Sequence, residues 1–368
     1  MRSSGGLRRL LSGVTLLGLV LVTSPDSSQL SAQSGFLVVA SGLDNPRGLA
    51  FGTDGALYVA EAGRGGTSTA CAPAPDPPFA LRCYGPTGAI TRILALGDQR
   101  RVVVGLPSIA GPSGAPAQGP VDIDFGMGSA WVTLGFGGNP ALRAPLEAIG
   151  APLGRLVRVQ SNGTWTALVD ISLHEAATNP DGTTIDSNPF GLRVTSDRAF
   201  VADAGANALF QIASTGVVST LGVFPARTSP IGNPMQSVPT SVVVGPDGAL
   251  YVGELTGFPF PVGAARVYRL PAAGGTPVVV ASGFTMIIDI AFAPNGLGYV
   301  LEHDADGLLG PGVDGRLIRF NANGTQTVVA STGLVKPGGV AFGPDGAAYV
   351  TLRADQAGVG EVVRIAQP

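Results

Sequence analysis

One short pattern recurs six times along this chain: an apolar stretch, a turn, and a second apolar stretch. Four copies are closely similar: LAFGTDGALYVAE (Leu49–Glu61), VVVGPDGALYVGE (Val242–Glu254), IAFAPNGLGYVLE (Ile290–Glu302) and VAFGPDGAAYVTL (Val340–Leu352). Two degenerate copies, VDIDFGMGSAWVTL and FGLRVTSDRAFVAD, occupy 121–134 and 190–203. Such a repeat indicates an array of equivalent supersecondary units.

Each copy predicts a β-hairpin, because Asp-Gly and Asn-Gly adopt the positive φ that tight turns between twisted strands require. A second strand pair follows, as in GRLVRVQSNGTWTALV (Gly154–Val169) and GRLIRFNANGTQTVVA (Gly315–Ala330), which both turn at Asn-Gly. The last apolar residue before the first turn recurs at spacings of 74, 69, 50, 48 and 50 residues, so the early repeats contain insertions. Four strands per repeat define a propeller blade. We therefore predict an all-β fold, a six-bladed β-propeller with four antiparallel strands per blade.

The two ends of the chain are expected to meet in one blade. The sixth repeat supplies three strands and ends with GEVVRI (Gly360–Ile365). The N-terminal FLVVAS (Phe36–Ser41) resembles the outer strands PVVVAS at 277–282 and TVVAS at 327–331. Pairing the two ends leaves no unpaired sheet edge, so we predict that the N-terminal strand completes the C-terminal blade.

The N-terminus predicts export. Arg2, Arg8 and Arg9 precede an apolar run of 13 residues, Leu10–Val22. A bilayer requires about 20 residues, whereas a secretory signal has an apolar core of this size. We assign 1–33 to a signal peptide with its cleavage region and 34–368 to a single propeller domain, secreted or periplasmic. A retained membrane anchor is the alternative.

Composition and cysteine content limit the class of protein further. Hydrophobic residues make up 45% of the chain and charged residues 13%, which argues against disorder. The net charge of −3 provides no basic surface for nucleic acid. Cys71 and Cys83 are the only cysteines, and in an oxidising compartment we expect them to form a disulfide, with two free thiols as the alternative. We expect a monomer with no membrane span after processing.

Candidate ligand-binding residues are expected on one face of the ring. In a propeller the inner strand of each blade begins on the face where the second strand ends, so residues at these places converge around the channel mouth. The residues predicted there are Asn45, Arg47, Glu61, Asn188, Asp203, Glu254, Asp289 and Glu302. Phe258 and Phe260, in the loop GELTGFPFPVG, are candidates for the wall of a site for a flat or hydrophobic ligand; the alternative is that they pack on a neighbouring blade.

These side chains suggest two kinds of chemistry. Carboxylate and amide oxygens are the ligands that calcium prefers, and the candidate metal ligands are Asn45, Asn188, Asp203, Glu254 and Glu302. Alternatively, the acids pair with Arg47, Arg64 or backbone amides and organise the face without a metal. His303 follows Glu302 and is the candidate general base or metal ligand. The chain lacks the serine-hydrolase, phosphate-loop and dinucleotide motifs.

Several segments resemble the ScyD/ScyE family of propeller proteins. They include GLDNPRGLAFGTDGALYVAEAG, CYGPTGAITRI, VADAGANAL and VPTSVVVGPDGALYVGELTGFPFPVGAARVYRL, of which Gly253–Arg269 is the most specific. The resemblance covers Phe36 to Ile365 and implies export and a part in making or maturing a cyanobacterial sunscreen pigment, although the family also occurs in bacteria without that pigment. It transfers no catalytic residue.

More distantly, the repeats are similar to those of NHL-repeat, gluconolactonase-type and pyrroloquinoline-quinone sugar dehydrogenase propellers. That similarity implies calcium or quinone as a cofactor. A quinone site would require more histidine and basic residues near the channel than this chain supplies, since Lys336 is its one lysine.

Three functions follow from these patterns. The leading hypothesis is an exported binding or accessory propeller that holds a small or aromatic ligand at the channel mouth. The second is a calcium-dependent lactonase or hydrolase that uses Glu61, Asp203, Glu254, Glu302 or His303. The third is a scaffold for protein interactions.

Overall fold

The strands form a closed ring of blades. The computed structural model describes residues 36–75, 80–95, 97–321, 324–366 and 368, so the predicted signal peptide at 1–33 lies outside the described residues. Across those ranges six antiparallel sheets follow one another, each containing the four strands of one blade. The predicted all-β, six-bladed β-propeller is confirmed.

Blades 1 to 3 contain the insertions. The strands of blade 1 are β2 (Pro46–Phe51), β3 (Leu57–Glu61), β5 (Leu81–Ala95) and β6 (Asp98–Ala110), with the short β4 (Cys71–Pro73) and β7 (Ala117–Gln118) added at its edges. Blade 2 consists of β8 (Pro120–Gly126), β9 (Ser129–Leu134), β10 (Arg155–Val159) and β11 (Trp165–Asp170). Blade 3 consists of β12 (Pro189–Val194), β13 (Arg198–Asp203), β14 (Ala208–Ala213) and β15 (Val218–Val223).

Blades 4 to 6 are shorter. A small hairpin, β16 (Arg227–Thr228) and β17 (Pro234–Met235), precedes blade 4, which contains β18 (Pro239–Val244), β19 (Leu250–Glu254), β20 (Ala265–Leu270) and β21 (Val278–Phe284). Blade 5 contains β22 (Ile287–Phe292), β23 (Gly298–Glu302), β24 (Arg316–Phe320) and β25 (Gln326–Ala330). Blade 6 contains β26 (Gly339–Phe342), β27 (Ala348–Leu352), β28 (Gly360–Ile365) and the N-terminal β1 (Leu37–Leu43).

The ring closes between the two ends of the chain. Strand β1 pairs antiparallel with β28, with Leu37 opposite Arg364 and Leu43 opposite Gly360. The predicted completion of the C-terminal blade by the N-terminal strand is confirmed. Blade 6 therefore has four strands like the other blades, with its two sheet edges at the inner strand β26 and the outer strand β1.

The Asp-Gly and Asn-Gly turns define one face of the ring, the turn face. Gly55, Gly248, Gly296 and Gly346 have φ between +74° and +83°, as the sequence predicted. In blades 1, 4 and 6 the turn aspartate also accepts bonds from a tyrosine and an arginine of its own blade; in blade 1 these are Tyr58 at 3.0 Å and Arg92 at 2.8 Å. The opposite face, where inner strands begin and second strands end, is called the rim face below.

The inner strands approach each other closely around the channel. The third residue of each aligned inner segment is small or acidic: Gly48, Asp122, Gly191, Ser241, Asp289 and Gly339. A Cβ atom on Gly48 would lie 2.0 Å from Oδ1 of Asp122, and one on Gly191 would lie 2.6 Å from Cα of Ser241. Larger side chains at these glycines would therefore push neighbouring blades apart.

Apolar clusters fill the spaces between blades. The second-strand tyrosine of one blade repeatedly packs against the inner-strand phenylalanine of the next. The ring centroids are 5.0 Å apart for Tyr58 and Phe125 and 5.0 Å apart for Tyr251 and Phe292. This burial of aromatic surface, rather than contacts within single blades, holds the ring together.

The insertions are anchored by specific contacts. Cys71 and Cys83 form a disulfide, as predicted, and join β4 to β5. Within blade 2, between β9 and β10, lie a 3₁₀ turn at Pro140–Arg143 and a short helix at Ala144–Glu147. Between blades 2 and 3 lies a helix at Ile171–Thr178, whose N-cap Asp170 accepts from the amide of Leu173. Within the described ranges no helix is both long enough and apolar enough to span a bilayer.

Candidate functional site at the channel mouth

The predicted carboxylates do lie at the ends of second strands. Glu61, Asp203, Glu254 and Glu302 are the last residues of β3, β13, β19 and β23, and the corresponding residues of blades 2 and 6 are Leu134 and Leu352. All four acidic side chains are buried. They therefore belong to the interior of the rim face rather than to its surface.

Each of these carboxylates fastens the segment that leads into the inner strand of its own blade. The donors are the amide of Asp44 for Glu61 (2.8 Å), the amide of Asn188 for Asp203 (2.7 Å), the hydroxyl of Ser237 for Glu254 (2.9 Å) and the amide of Thr285 for Glu302 (2.6 Å). A charged acceptor makes such bonds stronger than neutral ones. The acids thus position the rim backbone.

Cations balance most of this buried charge. Arg101 lies 2.6 Å from Glu61, and Arg227 forms an ion pair with Glu254. Glu302 has a weaker partner, because Arg316 is 3.9 Å away, and burial raises the pKa of Glu302 to about 7. Burial likewise raises the pKa of Asp203 to about 6, although Ser187 and three backbone amides donate to it.

The two predicted rim asparagines also serve the scaffold. The side-chain amide of Asn45 donates to the carbonyls of Gly63 (2.7 Å) and Gly114 (3.0 Å), and its Oδ1 atom is buried without a hydrogen-bond partner. Oδ1 of Asn188 accepts from the amide of Phe136 at 3.2 Å. Both side chains tie rim loops of different segments together.

These residues do not fit a calcium ion. In the part of the chain that the structure describes, no three Asp, Glu, His or Cys side chains are grouped so as to hold a metal. Asp203 already accepts hydrogen bonds from Ser187, Asn188, Gly205 and Ala206, and Glu254 is engaged by Arg227. A calcium ion would have to displace these donors, so these carboxylates do not form a calcium site.

Asp289 lies in the channel wall, two residues inside its inner strand. It and Asp122 come from opposite blades, 5 and 2, and each carboxylate bridges to the next blade. Asp122 accepts from the amide of Leu192 at 2.7 Å, and Asp289 accepts from the amide of Val340 at 2.8 Å. Burial raises the pKa of Asp289 to about 7, and burial followed by repulsion from Asp289 raises the pKa of Asp122 well above its usual value.

Of the rim-face groups, His303 is the one best able to act as a base. It follows the last residue of β23, and its ring Nδ1 lies 2.8 Å from the carbonyl oxygen of Pro337. Because a carbonyl only accepts, Nδ1 carries the proton and Nε2 keeps its lone pair. The described residues provide no hydrogen-bond partner for Nε2. The ring is fixed at one nitrogen and free at the other.

Basic side chains surround this imidazole. Burial lowers the pKa of His303, Lys336 and Arg47 lower it further, and the Pro337 carbonyl and Asp355 oppose them. Arg47 donates to the carbonyl of Ala117 at 3.1 Å, and burial lowers its pKa to about 10, so it remains protonated at neutral pH. Lys336 is paired with Asp304. The mouth therefore combines a neutral base with a desolvated cation.

The acidic group of this cluster is Asp355. Its Oδ1 atom is buried without a hydrogen-bond partner, and its charge acts on both Arg47 and His303. The structure thus brings together two residues that the sequence predicted, Arg47 and His303, and adds Lys336, Asp304 and Asp355. In blade 6 the second strand, β27, ends in Leu352, and Asp355 follows three residues later. The repeat pattern marks only acids at the last position of each second strand, so the sequence did not predict Asp355.

The predicted Phe-Pro loop lies beside the loop that begins at His303. A Cβ atom on Gly307 would be 2.5 Å from the carbonyl oxygen of Phe260, so the two loops are in direct contact. The rings of Phe258 and Phe260 are 6.3 Å apart and nearly perpendicular, and Phe258 is 58% exposed. The loop both packs on blade 5 and presents an aromatic side chain to solvent.

Comparisons with known proteins show the fold. No family model and no curated protein matches the chain. Among solved structures, a glucose dehydrogenase is 12% identical, with a TM-score of 0.53, covering 90% of this chain and 99% of that one. The pyrroloquinoline-quinone-bound aldose sugar dehydrogenase of Streptomyces coelicolor is 13% identical, with a TM-score of 0.52 and coverages of 90% and 96%. A luciferin-regenerating enzyme is 9% identical, with a TM-score of 0.51 and coverages of 90% and 95%. At these identities the similarity establishes the architecture and leaves the chemistry to the residues of this chain.

Proposed function

We propose that the protein binds a small organic molecule at the channel mouth, between His303 and Arg47, as an exported binding or accessory propeller. The observation that carries the proposal is the state of His303: a buried, neutral imidazole whose Nδ1 is held by the Pro337 carbonyl and whose Nε2 has no described partner. Nε2 has no partner in the described part of the chain and is not one of its fully buried polar atoms, so a ligand that enters the mouth can reach this fixed acceptor.

The surrounding groups favour a particular class of ligand. Nε2 accepts a hydrogen bond, so the ligand should carry a hydroxyl or amine donor. Arg47 has guanidinium donors beyond the one used by Ala117, so the ligand should also carry a carboxylate or carbonyl oxygen. Phe258 and Phe260 add an apolar wall nearby. An aromatic hydroxy acid combines these features.

The proposal extends to the ScyD/ScyE type of accessory protein and to export. The most specific segment of that resemblance, Gly253–Arg269, includes the Phe-Pro loop of the rim face and most of strand β20, which runs from there to the turn face. The disulfide between Cys71 and Cys83 is of the kind that persists in oxidising compartments. Intact mass of the protein recovered from the periplasm or medium tests export; a chain that still contains 1–33 would contradict it.

The binding site is tested with para-hydroxybenzoate as the probe. Isothermal titration calorimetry should give measurable binding to the wild type and at least about tenfold weaker binding to His303→Ala and Arg47→Gln, since each removes a hydrogen bond to a charged or buried partner. Arg319→Gln, which removes one positive charge on blade 5 away from the mouth, is the control. Equal affinity of all four proteins would refute the site.

The same geometry favours a second candidate, a hydrolase-like enzyme. Nε2 of His303 is positioned as a base, and Arg47 can stabilise negative charge that develops on a carbonyl oxygen. Because the pKa of His303 is lowered, the base should stay active below pH 6.5, its ordinary value. Hydrolysis of aromatic lactones that disappears in His303→Ala and is indifferent to chelator would support this reading, and its absence from the wild type would leave binding alone.

A further inference from the structure

A second cleft lies on the turn face, between blades 1 and 2 and away from the channel mouth. Its volume is about 940 Å³, and its walls include Tyr58, Arg92 and Arg100 from blade 1 and Phe125 and Val159 from blade 2. The edge-to-face pair of Tyr58 and Phe125 bounds it towards the ring axis. This volume is within the range of small-molecule sites.

The cleft exists because blade 2 fills its interface least. At the turn end of every blade a second-strand residue pairs with an apolar residue near the end of the third strand. These pairs are Leu57 with Ile93, Ala130 with Val159, Ala199 with Ile212, Leu250 with Leu270, Gly298 with Phe320, and Ala348 with Ile365. Ala130 and Val159 have the smallest combined side chains, so space remains in front of them.

The outer side of the cleft is closed by a contact between the blades. The Asn-Gly turn of the blade 2 hairpin reaches the outer strand of blade 1, where a Cβ atom on Gly163 would lie 2.5 Å from the carbonyl oxygen of Val102. Gly163 has φ +83°. Only glycine fits this approach, so the empty space is bounded on both sides rather than being an open groove.

Blade 1 places two like charges against this space. Arg92 and Arg100 are directly opposite each other on β5 and β6, an arrangement that is unfavourable unless a negative charge lies nearby. Asp54 forms a bidentate pair with Arg92, at 3.0 and 2.8 Å. Arg100 has no ion-pair partner in the described part of the chain.

The other blades show that this second arginine is specific to blade 1. The outer-strand residues at the corresponding position are Thr166, Ser219, Val278, Thr327 and Leu37. None of them is charged. The Asp-Tyr-Arg cluster of the turn face is therefore complete without Arg100, and in blade 1 Arg100 adds a positive charge without an ion-pair partner among the described residues, beside a cleft that has both polar and apolar walls.

We propose that this cleft binds an organic anion with a flat apolar body, the anionic group between Arg100 and Arg92 and the apolar body against Tyr58, Phe125 and Val159. The site is independent of the channel mouth. A planar carboxylate or sulfonate matches guanidinium geometry, and the aromatic walls accommodate a ring.

The test uses anilinonaphthalene sulfonate, whose fluorescence rises on binding, with the full chain and its disulfide intact. Arg100→Gln should raise the Kd of the dye about tenfold, because the anionic group of the dye loses a charged hydrogen-bond donor. Val159→Phe, which copies the residue of blade 5, should raise it to a similar degree by filling the cleft, and Arg319→Gln should leave it within about twofold.

His303→Ala separates the two sites, because it should weaken para-hydroxybenzoate binding at the mouth at least about tenfold while leaving the dye unaffected. Absence of dye binding to the wild type, or a Kd unchanged by Arg100→Gln, would overturn the proposal. Arg100 is exposed and changes no buried contact, so its variant is expected to fold even if Val159→Phe does not.

Discussion

Blades 2 and 5 lie opposite each other in the ring and carry nearly the same outer hairpin, GRLVRVQSNGTWTALV and GRLIRFNANGTQTVVA. Both also place an aspartate, Asp122 or Asp289, in the channel wall, where it accepts from a backbone amide of the next blade. The two aspartates therefore have the same structural role, which is to join each blade to the next one.

The two blades differ on both faces of the ring. On the rim face blade 5 has Glu302 followed by His303, whereas blade 2 has Leu134 followed by Gly135. On the turn face blade 5 has Phe320, whereas blade 2 has Val159. The difference shows that the residues common to the repeats build the scaffold, whereas the few residues that vary create the separate sites.

The largest predicted effect follows from exchanging the turn-face residues. Phe320 packs on Phe292 and Phe284, with ring centroids 6.3 and 6.2 Å away. Phe320→Val makes blade 5 resemble blade 2 and opens a cavity between blades 4 and 5, so we expect a loss of about 2–3 kcal/mol, measured by urea unfolding.

The reciprocal change, Val159→Phe, has the cleft to expand into and should alter stability by less than about 1 kcal/mol. If Phe320→Val were as mild as this reciprocal variant, side-chain volume would not explain why one interface is filled and the other open.

The second prediction concerns the rim ends. Burial raises the pKa of Glu302 from 4.5 to about 7. Because the folded state binds this proton more tightly than the unfolded chain, the contribution of Glu302 to stability is complete below pH 4.5 and is lost as the pH rises through about 7. Glu302→Gln removes that loss while keeping an acceptor for the amide of Thr285.

We therefore expect Glu302→Gln to be more stable than the wild type by about 2 kcal/mol at pH 9, with the difference shrinking towards pH 5, as followed by thermal unfolding across that range. The matched position in blade 2 is already uncharged, so Leu134→Met should show no such pH dependence. A constant difference between Glu302→Gln and the wild type at every pH would mean that the carboxylate is not strained by burial.

How far the sequence predicts this molecule depends on whether a feature is repeated. The hairpin repeat, the turn glycines, the ring closure by Phe36–Ser41 and the disulfide were all predictable, because each rests on local turn chemistry or on strand pairing. Placement of Glu61, Asp203, Glu254 and Glu302 at second-strand ends also followed from the repeat. Bonds from backbone amides to these acids were one of the two predicted alternatives, and Glu61, Asp203 and Glu302 do accept them. The burial of the acids and the identity of each donor were not predicted, since they depend on how the loops between blades fold back.

The two sites are non-repeated features, and the sequence shows them less clearly. Asp355 and Lys336 reach His303 from blade 6 through loop geometry that no spacing encodes. The cleft depends on the side-chain volume of Val159 and on the register that sets Arg100 opposite Arg92. Aligning the third strands of the repeats reveals Val159 against Phe320 but does not by itself show that the space stays empty.

The smallest predicted effect tests what blades 2 and 5 share. Asp122 and Asp289 repel each other across the channel, and this repulsion follows burial as a cause of the raised pKa of Asp122. Asp289→Asn removes the charge but can still accept from the amide of Val340. We expect the pKa of Asp122 to fall, because one of the causes that raise it, the charge of Asp289, is removed. The protonated-carboxyl band in infrared spectra, titrated with pH and assigned with Asp122→Asn, measures the shift. An unchanged titration would mean that the two carboxyls are insulated from each other, and opposite blades would then be coupled only through the ring between them.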